Sequence, residues 1–336
     1  NQLHAILRRT RSDRICPDDR IALLPNGTAN AVTNIFLALL NGAELLPFDV
    51  KKEGGLRLGE WLREERISIC QIASPLFRNF CSLVADNELF PDMRLLRLRS
   101  ESVYRADVDL YKKHFLPTCV LANGLSSSES GAVTEYHINH DFEFFGNEVP
   151  VGYPLEGMEV LIFDDSGRDL GFNEVGEIVF RSKYLSPGYW RRPDLTDAKF
   201  TPDPGGGESR SYHTGDLGLR LPDGCLIHKG RKDFRIKIRG FGVDLIEVEK
   251  TLLACPGIRQ ATVVSLQSEG GESYLVGYFT SNVRPPPNVT ELRLFLGDKL
   301  ADYMMPSSFV HLDAMPLTPN GKVDRRALPD PGNARP

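Results

Sequence analysis

Residues 212–244 read YHTGDLGLRLPDGCLIHKGRKDFRIKIRGFGVD and join a Thr214-Gly215-Asp216 turn to a Gly230-Arg231-Lys232-Asp233 turn across one hairpin. Before this stretch, from about Val149, strand-like runs at 159–163 and 176–180 are separated by turn clusters, Asp165-Ser166-Gly167 and Pro187-Gly188 among them. Such punctuation predicts a β-rich distorted barrel over 149–232. Further upstream, in 1–148, apolar runs at 20–24, 43–48, 67–72, 94–98 and 118–122 alternate with helix-like windows at 30–40, 58–65, 75–84 and 106–115. That alternation predicts an α/β core, mostly parallel sheet layers with helices on both faces. After Asp233 the pattern becomes a small α+β C-terminal subdomain over 233–330, with helices at 246–255 and 290–300, and residues 331–336 read as linker.

With 336 residues, 41% of them hydrophobic, the chain can fill two or three domain cores. A net charge of -5 provides no electrostatic pull toward nucleic acid or an anionic membrane. Cys16, Cys70, Cys81, Cys119, Cys225 and Cys255 have neither C-x-x-C nor Cys/His ligand spacing, a pattern that fits reduced thiols in a cytoplasmic protein. No apolar run reaches a membrane span, and no signal peptide is expected from the opening residues. Asn1 begins directly in helix-like sequence, so a fragment of a longer chain is expected.

In open parallel sheets ligands sit beyond the carboxyl ends of the strands, which points to the loops after Leu24, Ile72, Leu98 and Ala122. Gly215 allows a turn that holds the Asp216 carboxylate outward, where it can accept two vicinal hydroxyls such as a ribose presents. The tripeptide alone reads equally as an Asx-type turn. Arg231 adds a charged donor for the same sugar or a phosphate, or is a surface charge. Pro319, Asn320 and Gly321 force a turn that carries Lys322, whose ammonium could neutralise a phosphate and a carboxylate together. On its own, a solvated lysine is the commoner reading. Glu129, following Ser126-Ser127-Ser128, could hold Mg²⁺ through one carboxylate while a triphosphate supplies the other ligands. The alternative is a helix N-cap with an acid in its first turn.

Taken in order, GEIVFRSKYLSPGYWRRPDLTDAKF (176–200), YHTGDLG (212–218), GRKDFRIKIRGFGVDLIEVE (230–249), LADYMMPSSFV (300–310) and NGKVDRRAL (320–328) resemble the later core motifs of the adenylate-forming enzymes. The form is that of the adenylation domains of nonribosomal peptide synthetases, and the resemblance runs over nearly the whole chain. It implies activation of a small carboxylic acid by ATP and Mg²⁺, then transfer from AMP to the thiol of a phosphopantetheinyl carrier domain. It implies Asp216 at the ribose hydroxyls with Arg231 beside it, Asn123, Leu125 and Ser128 on the nucleotide side, and Glu129 as the magnesium-side acid. Lys322 would contact the reacting carboxylate and α-phosphate. Asp233 would be the hinge of a rotating C-terminal subdomain, and Lys237 would enter the site only in the thioester-forming state. Ala29, Asn30, Thr33, Gln71, Arg99, Gly124, Ala132 and Val133 would line the acid pocket.

Several positions depart from that pattern. The family's phosphate loop is expected upstream of Asn1, which implies an N-terminal portion of the same domain as a partner. Arg99-Ser100-Glu101 stands where the family shows Gly-Gly-Glu, and Leu125-Ser126 replaces an aromatic-Gly pair. Thr28-Ala29 replaces Phe-Asp or Phe-Gly, which removes the acid that would hold an α-ammonium, and Gly242 replaces an Arg. Two other readings stay open: a truncated or decayed homologue that at most binds nucleotide weakly, and an acyl-CoA ligase. The closing PLTPNGKVDRRAL (316–328) resembles the peptide-synthetase form rather than the latter.

Overall fold

A computed structural model describes residues 2–24, 29–99, 102–144, 148–203, 207–232, 235–238, 241–267, 273–318 and 321–332. The chain divides into two compact units, Asn1–Ser74 with Asp86–Lys232, and Pro75–Ala85 with Asp233–Pro336. Among the described residues no helix is long and apolar enough to cross a membrane.

The first unit is built on a seven-stranded sheet in the order Glu44–Pro47, Arg20–Leu23, Ile69–Ala73, Leu95–Arg99, Val120–Asn123, Thr134–Ile138, Tyr153–Pro154. The first five strands are parallel, and each of the last two pairs antiparallel with the strand before it in this order. Parallel neighbours need crossover connections, and the helices Ala29–Asn41, Gly55–Glu64, Ser74–Leu83 and Arg105–His114 lie between them in the chain. Every residue of Leu95–Arg99 is buried, as a sheet covered on both faces requires. The helices Gln2–Ser12 and Ala29–Asn41 pack Ile6, Leu37 and Ala38 onto Ile21, Ile69 and Leu95.

A second sheet in this unit has the antiparallel order Glu159–Phe163, Gly176–Ser182, Arg210–Arg220, Phe200–Pro202, and Leu226–Arg231 also pairs with Arg210–Arg220. Its inner face buries Val160, Ile162, Ile178, Phe180, Phe200 and Tyr212. The distorted barrel expected here is an open sheet among the described residues. Its short edge strand ends at Pro202, which has no N–H to extend the ladder.

In the second unit Ile258–Gln267 pairs antiparallel with Ser273–Ser281, which pairs parallel with Ser308–His311. The helices Leu245–Leu253 and Val289–Gly297 add Val248, Leu252, Leu292 and Leu296 to its core. Both helix starts are capped in sequence-legible ways. The Asp244 carboxylate accepts from the Ile246 amide (2.9 Å), and Asn288 and Glu291 form a reciprocal capping box. Pro75 joins this unit through its carbonyl, which accepts from the Gln260 side-chain amide at 3.3 Å.

Candidate active site

Thr214-Gly215-Asp216 is a bulge inside the 11-residue strand Arg210–Arg220, where the sequence alone suggested a turn at a strand end. The ladder to Gly176–Ser182 breaks between Glu177 and Val179, and the three residues are held by side chains instead. The Thr214 hydroxyl donates to the Ile178 carbonyl (2.6 Å) and accepts from the Asp216 amide (2.9 Å). The Glu177 carboxylate accepts from the Gly215 amide (2.9 Å) and pairs with the Lys232 ammonium (3.0 Å). Gly215 has φ +77°, a backbone that side-chain-bearing residues adopt only with strain.

The actual hairpin turn spans residues 221–225, and its register sets Asp216 opposite Arg231. The Arg231 guanidinium donates to Asp216 Oδ1 at 3.0 Å, with 22% of the Asp216 side chain and 36% of the Arg231 side chain exposed. His228 Nε2 lies 3.6 Å from the same oxygen. His228, Glu177 and Lys232 were not singled out from sequence; the hairpin register would have found His228, once the turn was placed. The result is a fixed, accessible carboxylate with one cation at its side, able to accept hydroxyls on its remaining lone pairs.

Glu129 sits in neither a helix nor its cap. Ser126–Ser127 and Gly131–Ala132 form a two-stranded hairpin, with the Ser127 and Ser130 hydroxyls 2.9 Å apart beneath its turn. Ser128 is exposed at the tip. Tyr189, another residue given no role from sequence, donates its phenol to Glu129 Oε1 at 2.9 Å. Burial first, then the Glu129 carboxylate, push the Tyr189 pKa up, so the phenol stays a donor. Among the described residues no group of three or more His, Cys, Asp or Glu could hold a metal ion. One oriented carboxylate nevertheless fits an ion that takes most of its ligands from phosphates and water.

Of the pocket candidates, the structure brings together Arg99, Gly124 and Val133, with Leu125 from the nucleotide side. Arg99 ends the Leu95–Arg99 strand, is 6% exposed, and donates to the Gly124 carbonyl (3.3 Å) and to Glu135 Oε2 (3.2 Å). Gly124 is obligatory: a Cβ there would stand 2.1 Å from the Thr134 carbonyl oxygen. The Leu125 amide donates to the Thr134 hydroxyl (3.0 Å), and the Leu125 carbonyl accepts from the Val133 amide (2.9 Å). The Ala132 carbonyl accepts from Arg8 (2.6 Å), and buried Asn123 donates to the Pro150 carbonyl (2.8 Å). Gln71 lies opposite Arg97 in the parallel ladder, Ala29 and Asn30 open their helix, and Thr33 is buried one turn on.

Behind Arg99 runs a buried charge network. Arg97, 1% exposed, donates to Asp13 Oδ1 (2.7 Å) and Glu135 Oε2 (2.9 Å), and Arg9 donates to Asp13 Oδ2 (3.3 Å). Burial raises the cost of the Glu135 carboxylate, but Arg97, the hydrogen bond from His137 and Arg99 outweigh it and hold its pKa far below the usual range. Burial and the neighbouring Arg97 press Arg99 down to about 9, which leaves it charged at neutral pH.

Lys322 belongs to the second unit. Its turn is closed by the Thr318 amide donating to the Lys322 carbonyl (2.7 Å) and by a Leu317–Val323 bridge, and its side chain is exposed. Lys237 lies on Arg235–Ile238 opposite Gly242. The expected hinge Asp233 lies outside the described residues, as do Thr28, Ser100, Glu101, Pro319 and Asn320.

Comparison with known proteins matches residues 1–190 to the family described as AMP-binding enzyme, and residues 247–322 to the AMP-binding enzyme C-terminal domain. Bacitracin synthase 1 of Bacillus licheniformis is 35% identical over 332 residues, 97% of this chain but 6% of that protein. The chain thus spans a small part of such relatives. Its fold is shared with a four-domain nonribosomal peptide synthetase solved with AMP and glycine, at TM-score 0.83 and 24% identity over 98% of this chain and 24% of that one. It is shared also with the O-succinylbenzoate coenzyme A synthetase of Bacillus subtilis solved with ATP and a magnesium ion, at 0.76 and 19% over 98% and 65%. With a family match that covers more than half of its length, the chain belongs to the AMP-binding enzymes, the ligase family that includes the adenylation domains of nonribosomal peptide synthetases.

Proposed function

We propose that the protein activates a small carboxylic acid with ATP to an acyl-adenylate and passes the acyl group to the thiol of a phosphopantetheinyl carrier domain. It would do so within a longer synthetase that supplies an N-terminal portion of the same domain. The observation that carries this reading is the Asp216–Arg231 pair, an accessible carboxylate fixed by a bulge and flanked by a cation 3.0 Å away. Two acceptor oxygens held this way suit the two hydroxyls of a ribose. Glu129, oriented by Tyr189, would hold the magnesium ion, whose charge would offset that of the phosphates. Lys322, exposed on its closed turn, would meet the reacting carboxylate, and Asp233 would be the hinge that brings Lys322 or Lys237 into play. Arg99, Gly124 and Val133 would bound the acid.

Calorimetric titration with AMP tests the nucleotide half: Asp216→Ala is expected to weaken binding at least about ten-fold, the loss of a charged hydrogen-bond acceptor. Unchanged affinity would remove the basis of the reading. ATP–pyrophosphate exchange by the chain joined to its N-terminal portion tests the chemistry, and silence across a broad panel of acids would favour a non-catalytic homologue. Transfer to coenzyme A is the second reading, supported by the fold shared with a coenzyme A synthetase. Offering coenzyme A and a carrier domain that bears a free phosphopantetheinyl thiol in competition separates the two acceptors.

A further inference from the structure

The first unit buries more positive than negative charge at one place. Arg8, Arg9, Arg97 and Arg99 are all buried, and they face two buried carboxylates, Asp13 and Glu135. Every oxygen of those carboxylates is already taken. Asp13 Oδ1 and Oδ2 accept from Arg97 and Arg9, Glu135 Oε2 accepts from both Arg97 and Arg99, and Glu135 Oε1 lies 3.0 Å from His137 Nε2. Arg8 spends its two terminal nitrogens on the Glu156 and Ala132 carbonyls. The Nε atoms of Arg8 and Arg97 are buried without a partner among the described residues.

Within this group Arg9 and Arg99 are the most weakly held, and among the described residues Arg9 has one bond, to Asp13 Oδ2 at 3.3 Å. Among the described residues Arg99 shares its only carboxylate oxygen with Arg97, and its two bonds, 3.2 and 3.3 Å, are long for a guanidinium with five donors. It stands at the carboxyl end of a central parallel strand, where open α/β sheets admit ligands. Its neighbour Gly124 cannot carry a side chain, so no other group from that position can meet the guanidinium. A buried cation without its own counter-charge is costly, and an incoming anion offsets that cost.

We propose that Arg99 receives a second carboxylate of the acid substrate, so that the substrate class is a small dicarboxylic acid. The assignment rests on the adenylation reading for the fate of the other carboxylate. No bond is made or broken at Arg99: its planar fork donates two N–H groups to two oxygens, and the cluster approaches charge balance. A monocarboxylic acid of equal length leaves the fork unpaired, which is the kind of loss that discriminates strongly between ligands.

Calorimetric titration of the full chain in nucleotide-free buffer, with succinate and glutarate against butyrate and valerate, tests this. At least one dicarboxylate is expected to bind ten-fold or more tightly than its monocarboxylate counterpart. Arg99→Gln should erase that difference, and Arg99→Lys, which keeps the charge, should retain part of it. Circular dichroism melts check the fold of each variant. If Arg99→Gln does not fold, the wild-type panel and Arg99→Lys decide. Equal binding of the paired acids, binding of none, or a preference untouched by the Arg99 variants overturns the assignment. Because AMP is absent, the two readings fail separately: dicarboxylate preference without AMP binding refutes the adenylation reading and leaves the Arg99 site, and the converse refutes only the Arg99 site.

Discussion

Glu135→Gln removes one negative charge from the buried network and keeps the shape of the side chain. The carboxylate lost takes hydrogen bonds from Arg97 (2.9 Å) and Arg99 (3.2 Å), and its nearest counterpart, Asp13, is already shared by Arg97 and Arg9. Four buried guanidinium groups, those of Arg8, Arg9, Arg97 and Arg99, would then face one buried carboxylate. Unit charges about 4 Å apart attract by about 4 kcal/mol at an effective dielectric constant of about 20. Removing one member of a buried ion pair costs about 3–5 kcal/mol, because the partner stays buried and uncompensated. With Arg97 1% exposed, solvent screening does little to soften this. For a unit of this size the unfolding midpoint should fall by about 6–20 °C. The pH dependence follows from the direction of the Glu135 shift. Its folded pKa lies below its unfolded value, so its contribution is complete above about pH 4.3 and is lost as pH falls toward the folded pKa, by about 1.4 kcal/mol per unit. Calorimetric melts of both proteins from pH 7 to pH 3 should show the gap narrowing below about pH 4.3. A variant within about 1 kcal/mol of wild type at pH 7, or a gap that persists undiminished at pH 3, refutes the reasoning.

Other perturbations probe the neighbouring features. Gly124→Ala drives a methyl group to 2.1 Å from the Thr134 carbonyl oxygen, so urea unfolding should show a loss of about 1–3 kcal/mol or more, and an unchanged midpoint would contradict the packing. Tyr189→Phe deletes the donor to Glu129; stability should change by less than about 1.5 kcal/mol, while the magnesium concentration that supports half-maximal nucleotide binding rises several-fold. Burial pushes the thiols of Cys70 and Cys119 up to about 12, so dithionitrobenzoate at pH 8 should modify half-buried Cys16 first in native protein and all six cysteines only after denaturation.

The parallel sheet was legible because its signals are local. The helix expected at 75–84 is Ser74–Leu83, the strand expected at 94–98 is Leu95–Arg99, and such slips of one residue are end effects. The motifs that carried the resemblance fall within and between the two family matches, at 1–190 and 247–322, except the last, 320–328, which runs past the second. What stayed hidden depends on distant partners. The Thr214–Asp216 bulge is held by Glu177 and Ile178, on a neighbouring strand, and no turn rule reports a side chain that arrives from there. The Ser126–Ala132 hairpin is too short for an alternating pattern and offers only the serines that also mark a helix start. Asp13, Arg97 and Glu135 are charged residues, and in sequence charge reads as surface. Only the folded sheet shows that they meet inside.

The Thr214–Asp216 bulge also bears on how selection is divided along a bound nucleotide. The strand that carries it is paired on both sides, to Glu177 through Leu217 and to Arg231 through Asp216 itself. Displacing the carboxylate would mean shearing two neighbours at once, so the acceptor is already in place before any ligand arrives, with little ordering entropy left to lose. If Asp216 takes the ribose hydroxyls as proposed, a preorganised clamp of this kind would greet every ribose alike. Discrimination among nucleotides would then come from the groups that meet the base and the phosphates, and substitutions there could change preference without disturbing the grip on the sugar.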